Sequence, residues 1–192
     1  ILGEIELGFL AEQGRVIAIT GTNGKTTTTT LTGEIMKAHF GKDKTFVVGN
    51  IGNPYTLEAD KTSKDSVTVG EISSFQLETI HTFHPVVSAI LNITPDHLNR
   101  HHTMEAYVAA KEAVASQQTK ADICVLNYDN EYTRDFAGRC PATPVLFSSH
   151  QELKNGYFLR GDKIIKSVNS EEHELMDIHK DMNLVGLCNV EN

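Results

Sequence analysis

"VIAITGTNGKTTTTTLTGEI" (residues 16–35) joins a short apolar run to a segment rich in glycine, lysine and threonine. The run is β-branched and apolar, which predicts a buried strand. Gly21 and Gly24 allow a tight turn whose backbone N–H groups point inward. A strand, a glycine turn and a following helix are the context that a phosphate-binding loop (P-loop) requires. This stretch therefore predicts an α/β fold that holds a nucleotide phosphate.

The residue types within the loop suit a phosphate. Lys25 supplies a point charge for the β- and γ-phosphates, and Thr26 or Thr27 can offer a hydroxyl to Mg²⁺. The N-terminus of the following helix adds its dipole. The general P-loop consensus places a glycine five positions before Gly24, where this chain has Ile19. The alternative is a glycine turn with a solvent-facing lysine, but Gly-x-x-Gly-Lys-Thr after a strand favours the phosphate site.

Length and composition limit the other function classes. A chain of 192 residues with 40% apolar content can bury one sizeable core. The net charge of −8 argues against a nucleic-acid partner held by a broad basic face. The three cysteines form no CxxC pair, which favours a reducing compartment, so a cytoplasmic protein is expected. No apolar run approaches the ~18 residues of a membrane span, and both ends suggest a piece of a longer chain.

Predicted strands alternate with predicted helices along the chain. Strands are predicted at 15–20, 45–49, 66–72, 86–93, 122–128 and 144–149. Helices are predicted at 25–39, 54–60, 75–81, 103–118 and 130–138. This alternation indicates a mostly parallel sheet flanked by helices, with ligands at the carboxyl ends of the strands. After residue 155, "GYFLRGDKIIKSV" (156–168) predicts a small antiparallel hairpin around a Gly-Asp turn.

A second stretch, "SVTVGEISSFQLE" (66–78), places polar side chains where an apolar strand ends. If this strand lies beside the P-loop strand, Glu71 reaches the mouth of the loop, where a carboxylate is a natural Mg²⁺ ligand. Ser73 and Gln76 could then bond a substrate beside the γ-phosphate. The alternative is a helix cap, in which Ser73 or Ser74 closes the turn before "FQLE". Capping and binding are compatible, and we expect both.

"LNITPDHLNRHH" (91–102) is a third stretch in which an apolar strand runs into polar residues. Asp96 and His97 fall at another carboxyl end, and this context favours a site role for His97. The other histidines of this region and the preceding one lack that context and are interpreted as structural: His81, His84, His101 and His102.

Lys111 is anomalous in the predicted helix 103–118. Tyr107, Ala110 and Val114 fall on the same helical face as this lysine. A lysine on an apolar face is costly unless it is paired or chemically altered. The alternative is that its amine extends along the apolar surface to reach solvent.

Five motifs together resemble the Mur ligases, and within that family its central ATPase domain. They are "GTNGKTT" (21–27), "EISSFQLE" (71–78), "LNITPDHLNRH" (91–101), "AAKEA" (109–113) and "NVEN" (189–192). The first alone would not separate Mur ligases from folylpolyglutamate synthases. "EISSFQLE" with "DHLNRH" indicates the family member that adds D-glutamate. The resemblance covers almost the whole chain, so residues 1–192 are expected to be the central ATP-binding domain, without the family's N-terminal UDP-binding and C-terminal Rossmann-like domains.

The resemblance also implies roles for individual residues. The nucleotide would contact Gly21, Thr22, Asn23, Gly24, Lys25, Thr26, Thr27, Asn189 and Asn192. Two Mg²⁺ ions would be held by Thr26, Glu71, His97 and Lys111, the lysine being carbamylated by CO₂ in this family. The muramoyl-alanine would contact Asn50, Ser73, Gln76 and His97. The catalytic set would be Lys25, Glu71, His97 and Lys111. Cys188 stands where the family usually has histidine, just before the adenine-binding asparagines.

The implied reaction is ATP-dependent amide formation through an acyl phosphate, in peptidoglycan synthesis. The implied substrates are UDP-N-acetylmuramoyl-L-alanine and D-glutamate, and the whole enzyme is expected to be monomeric. Mg²⁺ and Lys25 would neutralise the charge of ATP while the loop aligns the reactants. Two alternatives stay open: a folylpolyglutamate synthase-like ligase, and a P-loop domain of regulatory or kinase-like type.

Overall fold

The computed structural model describes residues 1–182 and 186–192, and within them the chain forms one nine-stranded sheet flanked by helices. The strands are β1 (Arg15–Thr20), β2 (Thr45–Gly49), β3 (Val67–Glu71), β4 (Val87–Ile90), β5 (Ile123–Asn127), β6 (Thr143–Ser148), β7 (Gly156–Arg160), β8 (Lys163–Val168) and β9 (Glu171–Asp177). The helices of the same residues are α1 (Glu4–Ala11), α2 (Lys25–Phe40), α3 (Tyr55–Glu58), α4 (Ser74–Leu77), α5 (Leu98–His101), α6 (Met104–Glu112), α7 (Glu131–Ala137), α8 (Ile178–Asp181) and α9 (Leu187–Glu191).

The order of strands across the sheet is β2-β3-β1-β4-β5-β6-β7-β8-β9. Neighbouring strands from β2 to β7 pair in parallel, whereas β8 and β9 each run antiparallel to the preceding strand. The P-loop strand β1 therefore lies inside the sheet, with β3 on one side and β4 on the other. This arrangement confirms the predicted α/β P-loop fold with a mostly parallel sheet.

Side chains of β1 alternate between the two faces of the sheet and supply both of its cores. Val16 and Ala18 belong to the larger core, which also takes up Ile5 of α1. Ile19 packs on the other face with Val69 and partly buried residues that include α2 side chains. A strand buried on both faces needs apolar residues at successive positions, as Val16 to Ile19 of β1 provide.

The second face is less completely covered beyond α2. A cavity of about 640 Å³ lies along the sheet there. Its lining includes Met36 of α2, Val125 and Phe147 of the sheet, and Val190 of α9. Ile123 of β5 remains 39% exposed. The predicted cover on both faces is therefore incomplete on this side of the sheet, within the residues that the structure describes.

The predicted hairpin forms, but as part of the main sheet. β7 and β8 pair from Gly156↔Ser167 to Arg160↔Lys163 around the Gly-Asp turn. The predicted antiparallel hairpin is therefore confirmed, and the structure adds that β7 also pairs in parallel with β6 and that β9 extends the sheet. Strand β9, "EEHELMD", was not predicted because most of its side chains are exposed and polar.

Strand register places the polar strand ends next to the P-loop. Ile19 of β1 pairs with Glu71 of β3. The carboxylate therefore lies on the strand next to β1, level with a residue that is two positions before Gly21. Thr20 pairs with Ile90, so the continuation of β4 runs alongside the loop on its other side. Both stretches singled out in the sequence therefore meet at one edge of the sheet.

Candidate functional site

The P-loop turns at Gly24 directly into helix α2. Gly24 has φ 83°, a left-handed conformation that favours glycine, and α2 begins at Lys25. A Cβ at Gly24 would lie 2.1 Å from Asn192 Oδ1, so the last described residue sits directly against the loop. Lys25 Nζ donates to Thr22 O at 2.9 Å, across the turn. Glycine, lysine and helix N-terminus are thus assembled as a phosphate cradle requires.

Asn92 braces the loop from the end of β4. Its backbone O accepts from Thr22 N at 2.9 Å, and its Oδ1 accepts from Asn23 N at 2.8 Å. Its Nδ2 donates to Asn23 O at 3.1 Å. Thr94 N donates to Thr22 Oγ1 at 3.0 Å. Sequence reasoning missed Asn92 as a site residue, although an amide that interrupts an apolar run beside a P-loop strand was the available signal.

Glu71 is a buried carboxylate at the mouth of the loop. It is 1% exposed. Its Oε2 accepts from Thr26 Oγ1 at 2.9 Å, and its Oε1 accepts from Asn50 Nδ2 at 2.8 Å. Among the described residues, no lysine, arginine or histidine forms an ion pair with it. A buried, unpaired carboxylate next to a hydroxyl presents the oxygen donors that Mg²⁺ prefers, so these residues fit the ion.

Ser73 and Gln76 form the cap that was predicted. Ser73 is the N-cap of α4, and Gln76 N donates to Ser73 Oγ at 3.3 Å. In return, Ser73 N donates to Gln76 Oε1 at 2.9 Å, which completes a capping box. The capping box fixes this turn two residues after Glu71. The roles of both side chains toward a substrate remain predictions.

His97 occupies an unusual backbone conformation at the end of the β4 extension. It is the left-handed N-cap of α5, with φ 51°. Its side chain is 48% exposed, and Nε2 lies 3.5 Å from Asp96 Oδ2. Its ring packs on Phe75 at 5.0 Å between centroids and lies 6.5 Å from the ring of Tyr107. The imidazole is therefore oriented by aromatic neighbours and reachable from solvent.

Lys111 is buried beneath the P-loop. It is 2% exposed, so the alternative in which its amine reaches solvent is wrong. Nζ donates to Gly21 O at 2.7 Å and lies 4.7 Å from the centroid of the Tyr107 ring. Burial, helped by the positive charge of Lys25 and opposed by Asp96, lowers the pKa of Lys111 to about 7. A substantial neutral fraction of the amine is therefore present near neutral pH.

Tyr107 connects these groups and was not predicted as a site residue. Its hydroxyl lies 3.1 Å from Thr22 Oγ1, while its ring contacts both Lys111 and His97. Sequence reasoning noted Tyr107 only as a member of the same helical face as Lys111. Its buried ring therefore lies next to both the buried lysine and the exposed histidine.

The terminal helix α9 brings the predicted adenine motif to the P-loop. Asn192 Nδ2 donates to Asn189 Oδ1 at 3.5 Å, and Asn192 faces Gly24 as described. Glu191 accepts from Ser149 Oγ at 2.7 Å, which holds α9 to the end of β6. Asn192 also lines the apolar cavity beneath the sheet.

The structure thus gathers most of the predicted residues at one edge of the sheet. Thr27 lies in the first turn of α2, next to Thr26. Over the described residues, no three His, Cys, Asp or Glu side chains converge as a ready metal site. Within the same described residues, every helix is too short or too polar to cross a bilayer.

Comparison with known proteins decides the family. Residues 19–192 match the Mur ligase middle domain. The chain belongs to the Mur ligase family. The resemblance predicted from the five sequence motifs is therefore confirmed.

Two similar curated relatives carry the same name. The UDP-N-acetylmuramoylalanine–D-glutamate ligase of Lachnospira eligens is 57% identical over 192 residues. The ligase of the same name from Lachnoclostridium phytofermentans is 56% identical over 192 residues. Each alignment covers 100% of this chain and 42% of the relative, so the chain spans less than half the length of the Mur ligases it matches.

Solved structures support the Mur ligase fold. MurF from Acinetobacter baumannii superposes with a TM-score of 0.67 at 17% identity, over 98% of this chain and 42% of that chain. MurF ligase from Thermotoga maritima in complex with ADP superposes with a TM-score of 0.59 at 17% identity, over 89% of this chain and 42% of that chain.

Proposed function

We propose that this chain is the central ATP-binding domain of a Mur ligase that adds D-glutamate to UDP-N-acetylmuramoyl-L-alanine. The observation that carries the proposal is the contact between Glu71 and Thr26, 2.9 Å, at the mouth of the P-loop. It joins a buried carboxylate to the hydroxyl that follows the P-loop lysine. The names of the curated relatives support the choice of D-glutamate as the added amino acid.

ATP would lie along the P-loop toward α9. Residues 21–24 and the start of α2 would supply backbone N–H groups to the phosphates, and Lys25 would leave Thr22 O to reach the β- and γ-phosphates. Thr26, with Thr27 beside it, would face the phosphate-bound Mg²⁺. Asn189 and Asn192 would contact the adenine, and their position against Gly24 supports this. The complex of a family member with ADP agrees with a nucleotide site in this fold.

Mg²⁺ would neutralise phosphate charge and so reduce the repulsion of an attacking carboxylate. Glu71 and Thr26 would hold the first ion, because their oxygens already lie together. His97 and Lys111 would hold the second. Protonated Lys111 presents only donors and its neutral amine offers nitrogen, whereas Mg²⁺ prefers oxygen, so this residue fits the ion after carbamylation. Its buried amine and lowered pKa support that step, because the neutral amine is the form that reacts with CO₂.

The substrate carboxylate would lie between Glu71 and His97. Asn50, Ser73, Gln76 and His97 would orient the muramoyl-alanine, Ser73 and Gln76 from one turn and the other two from the ends of β2 and the β4 extension. In the proposed reaction the alanine carboxylate attacks the γ-phosphate, ADP leaves, and the amine of D-glutamate displaces phosphate from the acyl phosphate. The contribution of this domain is to align the two anions and to stabilise charge at the transferred phosphoryl group.

The alternatives from the sequence receive less support. A folylpolyglutamate synthase-like ligase would share the P-loop, but the curated relatives carry the name of the D-glutamate ligase. A regulatory or kinase-like P-loop domain would not require a buried lysine under the loop. The full three-domain organisation, the monomeric state and the cytoplasmic location remain predictions.

A direct test uses the full-length protein that contains this chain. Incubation with Mg·ATP, UDP-N-acetylmuramoyl-L-alanine and D-glutamate should yield ADP, phosphate and a product heavier by one glutamyl residue, detected by mass spectrometry. L-Glutamate serves as the control for the amino acid, and a folate acceptor tests the alternative ligase. ATP-dependent glutamylation of the folate, with none of the muramoyl substrate, would overturn the proposal.

A further inference from the structure

Two short turns that carry proposed site residues contact each other through side chains that take no part in the proposed substrate and metal contacts. One turn is α4, whose cap contains Ser73. The other is α5, whose cap is His97 in the left-handed conformation. The relative position of these turns sets the distance between the proposed substrate and metal contacts. His101, at the end of α5, lies at their junction.

His101 is 7% exposed and contacts α4 through both ring nitrogens. Its Nε2 lies 3.0 Å from Ser74 Oγ, and its Nδ1 lies 3.4 Å from Glu78 Oε1. A carboxylate oxygen only accepts, so in the tautomer with its hydrogen on Nδ1 the ring faces Glu78 with a donor and Ser74 with an acceptor. Each nitrogen of the imidazole therefore has a distinct partner on the facing turn.

Aromatic packing holds the same ring in place. The ring of Phe75 stacks on His101 at 5.4 Å with an interplanar angle of 5°. Tyr107 packs at 5.1 Å on the imidazole. Because Phe75 and Tyr107 also contact the ring of His97, one aromatic cluster orients both histidines.

Glu78 links the two turns through a second set of contacts. Its Oε2 accepts from Arg100 Nη2 at 2.9 Å, while Oε1 faces His101. Within α5, His101 N donates to His97 O at 3.0 Å. A non-glycine residue in the left-handed region persists only where its surroundings impose it. The surroundings of His97 include Asp96 Oδ1, which accepts from His97 N at 2.8 Å, and the contacts of the following turn with α4.

We propose that His101 is a positioning residue that fixes the His97 turn against the Ser73 turn. It touches no reacting group, and it acts by setting the separation of two side chains that do so in the proposed function, on which this inference rests. The histidine was interpreted from sequence as merely structural. Its two directed contacts across the two site turns give it the more specific role.

Three variants separate the contributions of His101. His101→Phe keeps a stacking ring and removes both polar contacts. His101→Gln keeps a donor and an acceptor and removes the ring. Ser74→Ala removes the partner hydroxyl from the other turn. His102→Asn is the control, because His102 is the exposed neighbour of His101 and its side chain can be exchanged without touching either turn contact.

The first measurement is amide hydrogen exchange in the full-length protein. His101→Phe should lower the protection of the amides of residues 100–102 at least tenfold, with α2 amides unchanged. Ser74→Ala should act in the same direction, and His102→Asn should not. Unchanged protection in folded His101→Phe protein would overturn the proposal.

The second measurement is the split between KM and kcat. Displacement of His97 and Ser73 should raise KM for the UDP substrate and the Mg²⁺ concentration for half-maximal rate at least fivefold, with KM for ATP within twofold. His101→Gln should restore at least half of the lost kcat/KM. A uniform fall in kcat at unchanged KM values would indicate only less folded protein and would overturn the positioning role.

The activity of the wild-type protein separates a failure of the proposed function from a failure of the positioning role. If it forms no product, the proposed function fails, and the positioning role in that reaction fails with it. If it is active and His101→Phe has unchanged kinetic constants, the positioning role alone fails.

Discussion

At the scale of single residues, Glu71 gives the most direct prediction. Glu71→Gln keeps the size of the side chain and its contact to Thr26, but it replaces the anionic oxygen that a hard cation prefers. In the full-length protein we expect kcat/KM for Mg·ATP to fall at least ~10-fold, or about 1.4 kcal/mol. Steady-state ADP release over a range of Mg²⁺ concentrations measures this.

A second buried carboxylate provides the control for Glu71. Glu58 is 8% exposed and accepts from Asn53 and Lys61, away from the P-loop. Glu58→Gln should affect stability and leave the magnesium dependence unchanged. If Glu71→Gln behaves in the same way, Glu71 is a structural carboxylate and the metal assignment is wrong.

Lys111 gives a residue-scale prediction in pH. Its pKa in the folded protein is lowered to about 7, chiefly by burial, from a usual value of 10.5. Between these values the unfolded state binds more protons, so this lysine makes stability rise with pH, by up to about 1.4 kcal/mol per unit. Below about pH 7 Lys111 is protonated in both states, and burial of its positive charge lowers the free energy of unfolding by its full amount.

Lys111→Met should therefore stabilise the protein most near pH 6. The difference in free energy of unfolding between Met variant and wild type should shrink by at least ~1 kcal/mol between pH 7 and 9. Urea unfolding at a series of pH values measures it, with Lys64→Met at an exposed lysine as the control. A difference that is constant with pH would show that Lys111 is charged in the folded protein at all these values.

At the scale of helices and strands, apolar patterning predicts the elements whose side chains are buried. Strands β1 to β6 were predicted within a few residues, because each contains β-branched and apolar side chains bounded by turn residues. Helices α1, α5, α8 and α9 and strand β9 were missed. β9 has mostly exposed side chains, so the backbone pairing with β8 specifies it and no periodic signal exists. Helix α1 is short and is held by contacts distant in sequence.

The residues of the candidate site also divide into those that the sequence pattern predicts and those that it does not. Glu71 beside the P-loop was predictable because parallel strands end at the same edge. Asn92 and His101 were not, because their roles depend on partners 69 and 27 residues away along the chain. Side-chain bonds of that kind follow from the packing of the turns, which a single sequence does not specify.

Glu6 anchors α1 to the loop before β4 and gives an element-scale prediction. Its buried carboxylate accepts from His81 N at 2.8 Å, Thr82 N at 2.7 Å, Thr82 Oγ1 at 2.5 Å and Phe83 N at 3.2 Å. Burial raises the pKa of Glu6, but the hydrogen bonds from Thr82 and the backbone outweigh it and lower the pKa from 4.5. The resulting stability is present above pH 4.5 and is lost as pH falls through the lowered value.

Glu6→Gln should cost about 1–3 kcal/mol at pH 7, because its amide nitrogen cannot accept from these donors. The loss should diminish as pH falls through the lowered pKa of Glu6, where the wild-type carboxyl also becomes protonated. Chemical unfolding over a series of pH values from 7 downward provides the measurement. Glu4→Gln, in the same helix with its acceptor contact to Thr56, should cost less. Equal costs for the two variants would contradict the anchoring role of Glu6.

At the scale of the whole molecule, the chain holds the proposed nucleotide site but spans 42% of the length of its curated relatives. About 190 residues around one sheet can bury enough apolar surface to fold independently. Ligation also requires the carboxylate, the nucleotide and the amine to be held together, and proximity contributes much of the rate. The 192-residue chain should therefore fold and bind Mg·ATP weakly, and form no measurable product.

Calorimetric titration of the isolated chain with Mg·ATP tests the binding half of this prediction. Lys25→Ala should weaken that binding at least tenfold, because it removes the charge that faces the phosphates, whereas Lys64→Ala should not. Product analysis under the same conditions tests the other half. Glutamyl product formed by the isolated chain at a rate close to that of the full-length protein would mean that the residues outside it contribute little to bringing the reactants together.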